Sequence, residues 1–525
     1  MSKVSDMAKV SVKGGFHYMW GLAASTVISA VGTIIIASLM GENNYGAYFV
    51  ALSAPNLINL FRDWGINSAV IRYTAQYNAE NKIEKIRGVF LSGLFFETIF
   101  GLALSLAGFA LSGVLATVFN RPEAAPLIQV ASFSVLAGAF VNIATAAFTG
   151  IEKMHFYSIM TVSQSVIKTV LIVALVVLGL GPLGAIIGFT TAFLIAGVIG
   201  ILLMFTIYKK LPSVPLSRAE LTETVKNLFR YGFPLSFGVI LSGVLIQFYN
   251  FLVIIYVSDN ALIGNYSVAL NFVVLITFFA MPVTTMLLPA FSKLDATKDS
   301  QALQSVYQFS VKYAALLVVP VAAMVMSLAQ PAISTIFPNQ YAQAPLFLAL
   351  LSITYVYAAF GNLSIVNLIN GQGQTTYTLK LSLLTACVGF PLGFVLISQF
   401  GVLGLIFSTV ISATPNMIFG LPYIRKRYGV TTDWNASAKI LLSSFIAAAI
   451  TYLLVNQLTL SSPIELIIGV IVFVLVFLFS VLLTRAINES DMYNLKTMTS
   501  GLGPLSKIIN KLLMLIEKLM SILKI

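Results

Sequence analysis

Long hydrophobic runs recur from one end of this chain to the other, and they constrain its fold more than any other feature. Each run has about 20 residues, enough for a helix to cross roughly 30 Å of hydrocarbon. Fourteen runs cover residues 16–39, 45–66, 87–113, 127–149, 156–179, 183–208, 230–257, 263–290, 308–330, 345–369, 376–399, 402–424, 437–458 and 463–484. The sequence therefore predicts an all-α integral membrane protein with about 14 transmembrane helices.

Composition excludes the main soluble classes. Of the 525 residues, 58% are hydrophobic and 9% are charged, whereas about 25% are charged in a soluble domain. So little charge cannot solvate the surface of a soluble enzyme, a nucleic-acid-binding module or a disordered chain. One cysteine and two histidines cannot supply an internal disulfide or a typical zinc site, so we expect no metal and no cofactor.

The positions of lysine and arginine predict the orientation in the membrane. If the N-terminus is cytoplasmic, 28 of the 30 basic residues lie at or beside cytoplasmic ends of the runs. Arg121 falls on the outer side, and Lys168 lies within a run. We therefore expect a multi-pass protein of the cell membrane with both termini in the cytoplasm. Its net charge of +12 would face anionic lipid headgroups and not nucleic acid.

The predicted external loops are short and carry little charge. Their charged residues are Glu42, Arg121, Glu123, Asp259 and Glu465. Membrane glycosyltransferases and polysaccharide polymerases generally need acidic metal-binding or catalytic groups in sizeable external loops, so we expect that the protein is not an enzyme. The chain has no Gly-x-x-x-x-Gly-Lys-Ser/Thr motif, so transport would be passive or driven by a gradient.

The chain contains an internal repeat. YGAYFVAL at 45–52 aligns with IGNYSVAL at 263–270, an offset of 218 with five identical residues. AFVN at 139–142 aligns with AFGN at 359–362, and GPLG at 181–184 aligns with GVLG at 401–404, both at an offset of 220. Runs 1–6 therefore correspond to runs 7–12. The two halves share one orientation because six is an even number.

This repeat predicts the domain organisation. The predicted divisions are an N-lobe at 1–210, a charged cytoplasmic linker at 211–229, a C-lobe at 230–430, two added helices at 431–485 and a cytoplasmic tail at 486–525. Within the tail, residues 504–525 are apolar at helical spacing with interleaved lysines. That pattern predicts an amphipathic helix at the membrane surface, with docking of a partner as the alternative.

Four short motifs resemble those of one known family. Gly41-Glu-Asn-Asn-Tyr-Gly-Ala-Tyr48 is similar to the turn between the first two helices of polysaccharide transporters in the MOP flippase superfamily. Asp63-Trp-Gly-Ile66 resembles their Asp-Leu-Gly-Leu motif, although Trp64 departs from the usual aliphatic residue. Phe229 to Leu235 and Ile263 to Tyr266 are also similar to family segments, and the resemblance covers residues 10–430.

The resemblance implies a fold and a function. Two lobes in an inverted V would surround a cavity in the membrane, and the two added helices would form a groove for a polyprenyl tail. The implied activity is movement of a lipid-linked oligosaccharide from the cytoplasmic to the outer leaflet. Membrane lipids would surround the protein, and glycan-assembly enzymes are candidate partners.

Charged residues within hydrocarbon cost about 2.5–3.5 kcal/mol each and therefore mark candidate sites. Glu97 and Lys168 lie near the middle of two runs and would form either a structural ion pair or parts of a site. In the second case Lys168, Arg62 and Arg72 would bind a diphosphate, with membrane anchoring as the alternative for the arginines. Asp63 or Glu97 would then bind a coupling H⁺ or Na⁺.

Other polar residues are weaker candidates for substrate binding. Gln247 and Asn250 share a helix face and would bind sugar hydroxyls, with Asn271 as a candidate neighbour. Asn142 and Asn362 occupy equivalent repeat positions, where hydrogen bonds between helices are the alternative role. Lys380 follows a glycine turn and would either extend to the membrane surface or reach a cytoplasmic cavity.

The sequence thus favours a flippase for lipid-linked oligosaccharides that works by alternating access. A cation-coupled multidrug exporter of the same superfamily is the first alternative, but it normally has a prominent carboxylate cluster and lacks the two added helices. A membrane-embedded transferase is the second alternative, which the weakly charged external loops disfavour.

Overall fold

A computed structural model of the protein describes residues 2–212, 218–296, 298–488, 491–492, 496, 514 and 517. Over these residues the chain is almost entirely helical and has no β-strand, which confirms the predicted all-α class. The amphipathic helix predicted at 504–525 lies, except for residues 514 and 517, outside the described residues.

The described residues form sixteen α-helices. The first eight are α1 (Ser2–Leu60), α2 (Ile66–Ala79), α3 (Ile83–Val118), α4 (Ala125–Gly150), α5 (Met154–Leu175), α6 (Gly181–Tyr208), α7 (Arg218–Tyr256) and α8 (Asn260–Ser292). The others are α9 (Ser300–Ser327), α10 (Ala329–Ile336), α11 (Ala344–Val356), α12 (Asn362–Gly371), α13 (Thr375–Ser412), α14 (Thr414–Tyr428), α15 (Trp434–Gln457) and α16 (Ser462–Leu483).

Ten described helical segments are long and apolar enough to cross a membrane, and a pair bent by 52° at Gly361 makes up to eleven. Three of the ten each contain two predicted runs: Trp20–Leu60, Met154–Tyr208 and Thr375–Tyr428. Glycines at positive φ interrupt these three segments, namely Gly41 at 70°, Gly181 at 49° and Gly401 at 56°. Glycine adopts such angles without steric cost, so these runs are joined by sharp turns. The number fourteen stays a prediction.

Internal packing divides the chain into two compact units. Unit 1 comprises Met1–Asn271 with Ala386–Ser408, and unit 2 comprises Phe272–Thr385 with Thr409–Ile525. In unit 1, α4 packs against α3 and α6, and α5 packs against α1 and α6. Helix α7 also packs within unit 1, and it begins at Arg218, inside the stretch predicted as a linker. The division into lobes at 1–210 and 230–430 stays a prediction.

Unit 2 incorporates the two added helices. Helix α15 packs against α9 and α16, and the segment after α16 buries Ile487 and Met492 in the same hydrophobic core as Val318 of α9. Asp491 accepts hydrogen bonds from Lys312 Nζ at 2.5 Å and from Tyr313 at 3.3 Å. Its side chain is 1% exposed. Ile487, Asp491 and Met492 are therefore held against α9 by burial and by an ion pair.

Candidate functional site

The break between α1 and α2 gives the candidate site its shape. Helix α1 ends at Leu60 and α2 begins at Ile66, so Arg62 and Asp63 lie in a turn. We expected both residues within one long hydrophobic run, on a helix. The helix breaks instead because Trp64 and Gly65 adopt φ of 46° and 78°.

Asp63 stabilises the start of α2. Its Oδ1 accepts a hydrogen bond from the backbone N of Asn67 at 2.8 Å, which satisfies one of the free N–H groups of the first helical turn. The side chain of Asn67 extends to α3, where its Nδ2 donates to Glu97 Oε1 at 2.8 Å. The helix break thus connects Asp63 to the carboxylate in the middle of α3.

Arg62 and Glu97 form a buried ion pair. Arg62 Nε lies 3.5 Å from Glu97 Oε2, and the two side chains are 2% and 0% exposed. Gly138 of α4 faces the guanidinium, with no side chain to displace it. The interpretation in which Glu97 pairs with Lys168 is therefore wrong, because the turn between α1 and α2 brings Arg62 to this part of α3.

The buried cluster around Glu97 combines one guanidinium and two carboxyl groups with unused hydrogen-bonding atoms. Arg62 supplies one positive charge, and Glu97 interacts electrostatically with both Arg62 and Asp63. Among the described residues, Arg62 Nη1, Asn59 Oδ1 and Asn67 Oδ1 are buried without a hydrogen-bond partner. Two carboxylates against one guanidinium, with amide oxygens nearby, are suited to binding a small cation or a proton.

Lys168 lies apart from this cluster. Its Nζ is 3.5 Å from the hydroxyl of Ser29 in α1, and Ser29 donates in turn to Ser165 at 3.0 Å. Over the described residues Lys168 has no ion-pair partner, although its side chain is partly buried. An amine in this setting can interact with an anionic group, as the sequence predicted for a substrate phosphate.

Arg72 lies on an exposed face of α2 and contacts α7. Its guanidinium carbon is 4.0 Å from the centre of the Tyr231 ring, a cation–π contact. Nearby, the rings of Trp64 and Phe233 stack at 5.5 Å. The motifs at 63–66 and 229–235 are thus in contact with each other, which the sequence alone did not indicate.

The polar pair in α7 is present as predicted. Asn250 Nδ2 donates to Gln247 Oε1 at 3.4 Å, and both side chains are partly buried. Asn271, the neighbour predicted for this pair, forms no hydrogen bond with either side chain among the described residues. It donates instead to the hydroxyl of Tyr45 at 3.0 Å and to the Ser267 carbonyl oxygen.

The remaining candidates are separate from the cluster. Asn142 is exposed within the continuous helix α4, whereas Asn362 begins α12 after the break at Gly361. Equivalent repeat positions therefore have different local conformations, and among the described residues neither side chain forms a hydrogen bond between helices. Lys380 lies on the exposed surface of α13 in unit 2.

Sequence reasoning missed two members of the cluster, Asn59 and Asn67. Asn67 follows Asp63 by four residues after a glycine, a spacing that could have indicated a polar helix start. Asn59 gives no comparable signal, because an asparagine near a helix end is common.

Comparisons with known proteins agree with this architecture. A family model described as polysaccharide biosynthesis protein matches residues 35–346. An uncharacterized membrane protein of Methanocaldococcus jannaschii is 21% identical over 429 residues, 79% of this chain and 84% of that protein. A probable low-salt glycan biosynthesis flippase of Haloferax volcanii is 21% identical over 233 residues, 44% of this chain and 49% of that protein.

Solved structures show the same fold. The lipid II flippase MurJ in an inward closed conformation has a TM-score of 0.69 at 18% identity, covering 89% of this chain and 98% of its own. An inward-facing multidrug resistance MATE family transporter of the MOP superfamily has a TM-score of 0.63 at 16% identity, covering 78% and 98%. These likenesses establish the MOP fold. Since the family match spans more than half of the sequence, this chain belongs to the polysaccharide biosynthesis protein family.

Proposed function

We propose that the protein moves an oligosaccharide linked to polyprenyl or dolichyl diphosphate from the cytoplasmic to the outer leaflet by alternating access. The family match over residues 35–346 is the observation that carries this proposal. The relative described as a glycan biosynthesis flippase and the fold shared with a lipid II flippase support it. The lipid would leave chemically unchanged, for assembly of surface polysaccharide or glycoprotein glycans by partner enzymes.

The proposal includes an orientation. Both termini lie in the cytoplasm, because that arrangement places 28 of 30 basic residues at cytoplasmic ends. The turn between α1 and α2 then lies near the cytoplasmic side, and the loop at Arg121 lies outside. A lipid-linked sugar made in the cytoplasm would meet Arg72 and the buried cluster first.

Three cations and two amides of unit 1 would hold the headgroup. Lys168 and Arg72 would donate to the diphosphate, since among the described residues neither forms an ion pair. Gln247 and Asn250 would bind sugar hydroxyls through amide atoms not used in their mutual hydrogen bond. In unit 2, Lys380 and Asn362 are weaker candidates, as is the exposed Asn142 in unit 1.

The third cation, Arg62, would couple transport to an ion gradient. In the structure Glu97 pairs with Arg62, so the guanidinium is not available to a phosphate. Binding of H⁺ or Na⁺ at Glu97, assisted by Asp63, would neutralise the carboxylate and release Arg62 toward the diphosphate. The same pair would re-form when the substrate leaves, so ion and substrate would bind together.

Proteoliposomes provide the test. They would contain a polyprenyl-diphosphate oligosaccharide with a fluorescent sugar, and quenching by an impermeant external reagent would be followed with and without pH or Na⁺ gradients. Protein-dependent acceleration is expected, and Lys168→Met should abolish it. Mass spectrometry of the recovered lipid tests for a transferase, which would change the lipid.

The multidrug exporter is the rival outcome of this assay. The MATE transporter structure shares the fold, but it covers 78% of this chain, compared with 89% for the lipid II flippase. Unaltered quenching together with gradient-driven efflux of a cationic dye would favour the exporter and refute the proposed function.

A further inference from the structure

Equivalent residues of the internal repeat contact each other within unit 1. Gly46 of α1 and Gly264 of α8 differ by the repeat offset of 218. A methyl group on Gly46 would overlap the carbonyl oxygen of Asn260, and one on Gly264 would overlap that of Glu42. Glu42 and Asn260 are equivalent by the same offset. The two helices therefore cross with backbone against backbone, which only glycine permits.

Polar and aromatic contacts flank this crossing. Asn265 Nδ2 donates to Glu42 Oε2 at 2.9 Å across the two helices. The rings of Phe49 and Tyr266 meet edge to face at 6.1 Å. The turn at Gly41 allows α1 to approach α8 at this point, because its φ of 70° redirects the chain just before Glu42.

Arg121 closes the same end of unit 1. Its side chain extends from the loop between α3 and α4 to the turn between α7 and α8. Nε donates to Asn260 Oδ1 at 2.8 Å, and the two Nη atoms donate to four carbonyl oxygens. Those oxygens belong to Phe119, Ile254, Val257 and Ser258, at 3.1, 2.5, 2.6 and 3.1 Å respectively. All five N–H groups of the guanidinium are thus used.

These five hydrogen bonds explain why Arg121 is present on the predicted outer side of the membrane, where the sequence otherwise avoids lysine and arginine. The last carbonyl groups of α7 have no partner within the helix. A positive charge there interacts favourably with the negative end of the helix dipole. Burial lowers the pKa of Arg121, and Glu123 and Asp259 partly oppose that shift. Lysine has three donors and could not satisfy all five acceptors.

We propose that Gly46, Gly264, the Glu42–Asn265 hydrogen bond and Arg121 form an outer seal that must separate before substrate can leave toward the outer leaflet. This inference rests on the proposed function for its role in transport. The contacts that define the seal lie at the end of α7 and the start of α8, at the opposite end of α7 from Tyr231 and Phe233. Alternating access requires the outer end to open at one stage of transport, and at that end α1 and α8 are in contact in this structure.

Cysteine accessibility tests the outer seal without any substrate. In a Cys387→Ala background, Ser267→Cys places a thiol about one turn beyond Gly264, where the serine is 6% exposed. Right-side-out vesicles would be treated with an impermeant maleimide. Arg121→Ala should raise the labelling rate about tenfold or more, since it removes several charge-assisted hydrogen bonds. Arg121→Lys should give a smaller increase, and Gly46→Ala should also raise the rate.

Gly113→Ala is the matched control, because a methyl group there meets nothing within 4 Å. It should label at the parent rate. Size-exclusion profiles would identify variants that fail to fold. If Arg121→Ala does not fold, Gly264→Ala takes its place as the test variant. Unchanged labelling in folded Arg121→Ala and Gly46→Ala proteins, or an equal increase in Gly113→Ala, would overturn the seal. Faster labelling of Arg121→Ala, together with no lipid transport by the parent protein in the quenching assay, would support the seal and refute the proposed function.

Discussion

The ion pair between Arg62 and Glu97 can be tested by removing its charges separately and together. Glu97→Gln keeps the size of the side chain and an oxygen that can accept from Asn67, so it isolates the charge. Arg62→Met removes the guanidinium while keeping an apolar stem. The double variant carries neither charge.

The expected magnitudes follow from burial. The side chains are 2% and 0% exposed, so either single substitution leaves one uncompensated buried charge at a cost of about 3–5 kcal/mol in free energy of unfolding. The double variant should lie within about 2 kcal/mol of the parent, because neither charge of the buried pair remains. Lowering the pH should reduce the loss of unfolding free energy in Arg62→Met but not in Glu97→Gln. The carboxylate left in the first variant can bind a proton, whereas the guanidinium left in the second cannot lose one.

Unfolding in mixed detergent micelles, followed by fluorescence, would give the four free energies of the double-mutant cycle. Glu80→Gln is the matched control, because Glu80 pairs with Lys82 at an exposed position and should leave stability unchanged. Additive single effects below about 1 kcal/mol would refute the interpretation that the two charges compensate each other.

Three further substitutions separate structural from transport roles. Lys168→Met should abolish lipid transport in the quenching assay while leaving the size-exclusion profile unchanged, because its contact with Ser29 is long at 3.5 Å. Asp491→Asn should lower the free energy of unfolding by about 3 kcal/mol, because Lys312 loses its buried partner, and Lys312→Met in the same chain should restore most of it. Tyr231→Leu should cost about 0.5–1 kcal/mol through loss of the cation–π contact with Arg72, as measured by the same unfolding assay.

The long apolar runs were sufficient to predict that the chain is helical, but they did not predict where the helices end. The two predicted runs on either side of Gly41, Gly181 or Gly401 lie together in one helical segment that the glycine interrupts. Hydropathy reports how apolar a stretch is, and a sharp glycine turn leaves that signal almost unchanged. Glycine at a boundary between two runs is therefore a better indicator of such turns than loop length.

The candidate site shows a different limit. Burial of Glu97 could be predicted from its position within an apolar run, but its partner could not. Both Arg62 and Lys168 were plausible cations, and the choice depends on where α2 packs against α3. That packing follows from the turn at Trp64 and Gly65, which places Arg62 outside any helix. Periodicity cannot give the direction of a side chain in a turn.

The internal repeat also determines which residues meet where α1 crosses α8. When two copies of one helix–turn–helix motif meet about a local twofold relation, residues at the crossing point face their own equivalents. A bulky side chain there would clash in both copies at once, whereas glycine in both copies allows backbones to touch, as Gly46 and Gly264 do. Arg121 has no basic equivalent in the second copy, since residues 339–341 are Asn-Gln-Tyr. The symmetric glycines therefore allow the close crossing, and the unsymmetric arginine sets how firmly it is held. A substitution at Arg121 can therefore weaken the closed outer seal while the close contact between Gly46 and Gly264 is kept.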